Sequence, residues 1–78
     1  MPHVIRWFNK DDEWVAGDVH LPDIPLSELK RVYPNSLNDT QMFDCYVLTK
    51  DQVAFFRDYT NLEFEFDKYD YFLEFDAD

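Results

Sequence analysis

Residues 61–78 read N-L-E-F-E-F-D-K-Y-D-Y-F-L-E-F-D-A-D, and this alternation of carboxylates with large rings constrains the fold more than any other stretch. Strict alternation is the period of a β-strand, which sends successive side chains to opposite faces of a sheet. Seven of the eighteen residues are acids (Glu63, Glu65, Asp67, Asp70, Glu74, Asp76 and Asp78), with Lys68 the sole base. Like charges along one face repel, and a face needed only for solubility would mix signs. The tract therefore predicts a sheet with a negative strip set among rings, suited to a basic and partly apolar partner.

Length bounds the rest. At 78 residues the chain is read as one domain, 1–78. A chain of this size buries only about 60–65% of its unfolded surface, so its core must come from large side chains. Eight Phe, five Tyr and two Trp supply them. Cys45 is the single cysteine, so no internal disulfide forms. That fits a reducing compartment, or a secreted protein that does without bridges. The first ten residues lack the apolar run and cleavage site of a signal peptide, and no segment reaches membrane-spanning length. The expected setting is the cytoplasm. Seventeen acids against seven bases give a net charge of −10. Such a field repels nucleic acid and anionic membrane, which argues against both as partners. The wealth of aromatics argues against disorder.

The pattern along the chain predicts β-β-α-β-α-β. Residues 3–9 and 13–21 read as a hairpin across the polar turn Lys10-Asp11-Asp12, with Gly17 marking a bulge or close packing. Pro25 and Pro34 bound a helix over 25–33. Residues 42–48 form a third strand. Thr49 and Gln52 make a capping box that opens a helix over 50–58. Residues 62–66 are a strand or a short edge piece, and 69–75 the closing strand. The fold class is α+β: an antiparallel sheet of four to five strands with one or two short helices on one face. Parity assigns Val15, Gly17, Val19 and Leu21, Phe43, Cys45 and Val47, and Tyr71, Leu73 and Phe75 to the core side. It assigns Trp14, Asp18, Asp44, Tyr46, Asp70, Phe72, Glu74 and Asp76 to the open face, and these are the expected protein-binding residues.

Catalytic and metal chemistry are not expected. Core-facing Cys45 and outward-facing His20 do not form a nucleophile–base pair. His3 and His20 have no metal-ligand spacing, and the acidic runs lack the glycine and spacing of a calcium loop. A single glycine leaves no phosphate-cradling loop. Neither cofactor nor metal is anticipated, and the chain is not read as an enzyme.

Three short signatures resemble one family. Ile5-Arg6-Trp7-Phe8-Asn9-Lys10 is similar to the Trp-Phe-Asp/Asn-Lys opening of small cloacin-type immunity proteins, which neutralise ribosome-cleaving colicins. Met42-Phe43-Asp44 sits where that family carries Cys-Phe-Asp, and Tyr71-Phe72-Leu73-Glu74-Phe75-Asp76 resembles its closing strand. The resemblance implies an antiparallel sheet with an acidic surface that grips a basic nuclease domain by binding alone. It also implies that Met42, at the position where the family's cysteine helps choose between toxins, bears on specificity. The resulting expectation is an immunity protein whose partner is the basic nuclease domain of a secreted bacterial toxin. The alternatives are a nucleic-acid mimic that inhibits a DNA-binding protein, and an acidic protein-binding adaptor domain.

Overall fold

The structure is a computed structural model that describes residues 3–34 and 45–75. In chain order the elements are β1 (His3–Asn9), β2 (Val15–His20), α1 (Leu26–Val32), β3 (Tyr46–Leu48), α2 (Lys50–Phe56) and β4 (Tyr69–Phe75). All pairings are antiparallel, and the sheet order is β2-β1-β4-β3. The α+β expectation holds, with four strands and two helices among the described residues. The first and last strands are the central pair, so the sheet closes only when both ends of the described chain meet.

Local chemistry accounts for the helices. Pro25 occupies the cap of α1 with φ −56°, and its carbonyl accepts from the N–H groups of Glu28 and Leu29 at 3.0 and 3.2 Å. Thr49 caps α2 through the expected box: its Oγ1 accepts from the Asp51 N–H, and its own N–H donates to Gln52 Oε1 at 2.8 Å. Leu29 from α1 and Phe56 from α2 are fully buried against the same sheet face as Ile5, Tyr46, Leu48, Tyr71 and Leu73. Each such side chain contributes roughly 1.5–3 kcal/mol on removal from water.

The tract 61–78 resolves into two different structures. Residues 69–75 are a central strand, as alternation predicts. Residues 60–65 form no strand, yet they keep the same sidedness. Leu62, Phe64 and Phe66 pack on the core, while Glu63, Glu65 and Asp67 face solvent. The hydroxyl of Tyr71 accepts the Glu65 N–H at 2.9 Å and ties this segment to the sheet. Asp76 and Asp78 lie outside the described residues.

Two parity expectations are overturned. In β3, Tyr46 and Leu48 are buried, Val47 is 58% exposed and Cys45 is exposed. Both parities of this strand carry apolar side chains, so periodicity there does not choose between them. Pairing of Tyr46 with Leu73 and of Leu48 with Tyr71 does, and a one-residue change flips every side chain. In β2, the register slips between Trp7 and Phe8, so Trp7 faces Gly17 while Phe8 faces Val15. Val15 leaves the core side and is 53% exposed. Gly17 is required by close packing: a Cβ there would sit 2.6 Å from Cζ2 of the Trp7 ring.

Candidate functional site

The face of the sheet opposite the helices is built from alternate residues of four strands. β1 supplies Val4, Arg6 and Phe8, and β4 supplies Asp70, Phe72 and Glu74. β2 supplies Val15, Asp18 and His20, and β3 supplies Val47. Val4 is wholly buried, so the accessible part is the Arg6–Phe8 end. There Phe8 and Phe72 meet edge to face, with ring centroids 5.7 Å apart.

Arg6 stands at the centre of this face. Register sets it opposite both Asp18 and Phe72. Its Nη1 donates to Glu74 Oε1 at 2.6 Å, and its Nε lies 3.6 Å from Asp18 Oδ2. Lys10 pairs with Asp70 at 3.1 Å. The carboxylates of the face are thus partly neutralised from within, which the sequence reading, fixed on the acids alone, does not anticipate. Ion pairing also orients them, and Glu74 is fixed by a hydrogen bond from Arg6, so less side-chain freedom is lost when a partner arrives.

Beside the Phe8–Phe72 pair lies an open concavity of about 340 Å³, lined by Phe8, Asn9, Glu13, Cys45, Asp70, Phe72 and Glu74. Glu13 reaches it from the β1–β2 turn, where its φ of 63° is the left-handed region that L side chains rarely adopt. The turn is held by Asn9 N–H to Trp14 O at 2.9 Å and Glu13 N–H to Asn9 O at 2.8 Å. Asp12 Oδ1 accepts the Trp14 N–H, and the Trp14 side chain is 73% exposed. Three carboxylates around an aromatic pair favour a cationic side chain, which gains ion pairing and contact with a ring.

Of the expected binding residues, the face brings together Asp18, Asp70, Phe72 and Glu74, with exposed Trp14 at the adjoining turn. Tyr46 is a correction. It is on the helix side, buried, with its ring 5.3 Å from that of Tyr33. Asp44, Asp76 and Met42 lie outside the described residues. Arg6, Phe8, Glu13 and Cys45 join the site in addition to the residues expected from sequence. The alternation V-I-R-W-F places Arg6 and Phe8 on one face and was sufficient to find them. Nothing local signals Glu13, whose position follows from the turn conformation.

Cys45 is the second correction. Its thiol is not in the core but on the open face, 3.7 Å from Glu74 Oε2. His20 is on that face too, in the same cross-strand row. Two strands intervene, so the pair is separated by about 14 Å at ordinary strand spacing and makes no nucleophile–base contact. Among the described residues, no three His, Cys, Asp or Glu side chains converge to hold a metal ion, and no helix is long and apolar enough to cross a membrane. Burial pushes the Tyr33 phenol well above its ordinary range, with a smaller contribution from Cys45. The Tyr71 phenol is also raised, chiefly by burial.

A search of curated proteins finds no match to this chain. One family model does match, spanning residues 2–74 and described as a domain of unknown function, DUF7683. That span covers β1, both helices, β4 as far as Glu74 and the described part of the open face, and on it the chain belongs to the DUF7683 family.

Proposed function

We propose that the open face binds a basic protein, and that the chain is an immunity protein that neutralises the nuclease domain of a bacterial toxin in the cytoplasm of the producing cell. The observation that carries this reading is the concavity beside Phe8 and Phe72, rimmed by Glu13, Asp70 and Glu74, in a chain of net charge −10. Nucleases carry cationic substrate clefts, so an acidic inhibitor is captured quickly by long-range attraction. Once docked, rings on the sheet supply anchoring energy that screened charge does not. A lysine or arginine of the partner enters the concavity, contacts the Phe72 ring and pairs with the rim carboxylates. Inhibition follows from occlusion, with no bond made or broken by this chain.

The test is binding to the basic nuclease domain of a bacterial toxin, measured by stopped flow across a salt series. Association slows as salt rises, because screening shortens to about 8 Å at 0.15 M. Phe72→Ala, with its fold verified by circular dichroism, costs roughly 2–4 kcal/mol of affinity and acts mainly on dissociation. Salt-independent association, or unchanged affinity in a folded Phe72→Ala variant, removes the open face as the binding site. Capture of a non-nuclease basic protein in its place supports the adaptor reading.

A further inference from the structure

A second groove lies on the other side of the molecule, between α2 and residues 60–66. Its volume is about 690 Å³, twice that of the concavity on the open face. Lys50, Val53 and Arg57 line one wall. Spacings of three and seven residues put them on one side of a helix, with the two cations about 10 Å apart along its axis. The opposite wall is apolar at Leu62, Phe64 and Phe66, where the two phenylalanine rings stack with centroids 5.6 Å apart and planes within 6°.

The charges here run against the rest of the chain. Arg6, Lys10, Arg31 and Lys68 each pair with a carboxylate. Lys50 and Arg57 form no ion pair among the described residues, and both line this groove. Glu63 stands on the facing wall, so cations exceed anions by one. The wall also offers backbone. Among the described residues, the Leu62 N–H is satisfied by Thr60 Oγ1 and the Glu65 N–H by Tyr71, while the N–H of Phe64 makes no hydrogen bond. A segment with a vacant main-chain donor and side chains of alternating exposure offers a point of pairing to the backbone of a bound peptide.

From these features we infer that the groove binds an extended acidic segment of a partner protein, with an apolar side chain seated between two carboxylates. The carboxylates meet Lys50 and Arg57, the apolar side chain lies over Val53, Phe64 and Phe66, and the backbone pairs with that of Phe64. The molecule's net negative field opposes distant approach, but at physiological salt the local cations dominate contact. The site is separate from the basic-partner face and stands whether or not that face binds a nuclease.

The probe is a capped hexapeptide of alternating glutamate and leucine, titrated into the full chain and followed by amide chemical shifts. Expected shifts fall on Lys50, Val53, Arg57 and residues 62–66. The Lys50→Glu/Arg57→Glu double variant, checked for native amide dispersion, weakens binding by about tenfold or more, since two attractive pairs become repulsive. A lysine–leucine hexapeptide does not bind there. Equal binding of the lysine peptide, affinity unchanged in the double variant, or shifts confined to the open face overturns the proposal. So does saturation by benzoate with the same shift pattern, which assigns the groove to a small carboxylate.

Discussion

Glu13 is the residue at which strain and function separate most cleanly. Its φ of 63° puts an L side chain in a conformation that costs roughly 1–2 kcal/mol relative to the right-handed region, whereas glycine visits it freely. Glycine also enlarges the unfolded ensemble, offsetting about 0.4–1 kcal/mol of that gain. Both turn hydrogen bonds at this position are made by backbone groups, and they survive the substitution. The net expectation for Glu13→Gly is a stabilisation of about 0.5–1 kcal/mol, a rise in melting temperature of roughly 2–8 °C for a domain of this size. Glu13 follows Asp11 and Asp12, so loss of its charge alone relieves repulsion. Glu13→Ala is therefore the control: it removes the carboxylate and retains the strain. Calorimetry on the two variants isolates the backbone effect as the difference between them. Both variants bind a basic partner more slowly than the parent, because both lack a carboxylate at the concavity. If Glu13→Gly is no more stable than Glu13→Ala, the turn is unstrained and the geometric argument fails.

Gly17→Ala forces a Cβ to within 2.6 Å of the Trp7 ring, which Tyr71 flanks at 5.7 Å, so urea denaturation should show a loss of about 1–3 kcal/mol. Combining it with Trp7→Leu should give strong non-additivity, and simple additivity would point to another cause. Arg6→Met leaves Asp18 and Glu74 facing each other across the sheet without their cation. Discounted for partial exposure, it should destabilise by about 1–2 kcal/mol while speeding capture of a basic partner, readouts that move in opposite directions. Native Cys45 should react with a thiol reagent at a rate insensitive to sub-denaturing urea; labelling that tracks global unfolding would return the thiol to the core. At alkaline pH, Tyr33 keeps its proton in the folded protein when the unfolded chain, with a pKa near 10, has lost it. The folded state then binds more protons, so stability is full below about pH 10 and declines above it. Tyr33→Phe should flatten that decline in pH-dependent melting curves.

The proportion legible in the sequence follows from where local physics is decisive. The hairpin, both helices with their Pro25 and Thr49 starts, and the closing strand 69–75 were readable, because caps, prolines and strict alternation act within a few residues. The closing strand also announced its faces: Tyr71 and Leu73 inward, Asp70, Phe72 and Glu74 outward, since charge on one parity leaves a single burial choice. In β3 both parities are apolar, and only pairing with β4 decided that Tyr46 turns in and Cys45 out. The slip at Trp7 and Phe8, which moves Val15 to the open face, belongs to pairing between two strands, beside the Trp7 ring packed over Gly17. Composition declared an acidic molecule, but only the tertiary structure placed Arg6 among the carboxylates of the open face and gathered Lys50 and Arg57 into a groove of opposite sign. Net charge is a sum over the chain, whereas a binding site depends on which charges the fold brings within reach of one another.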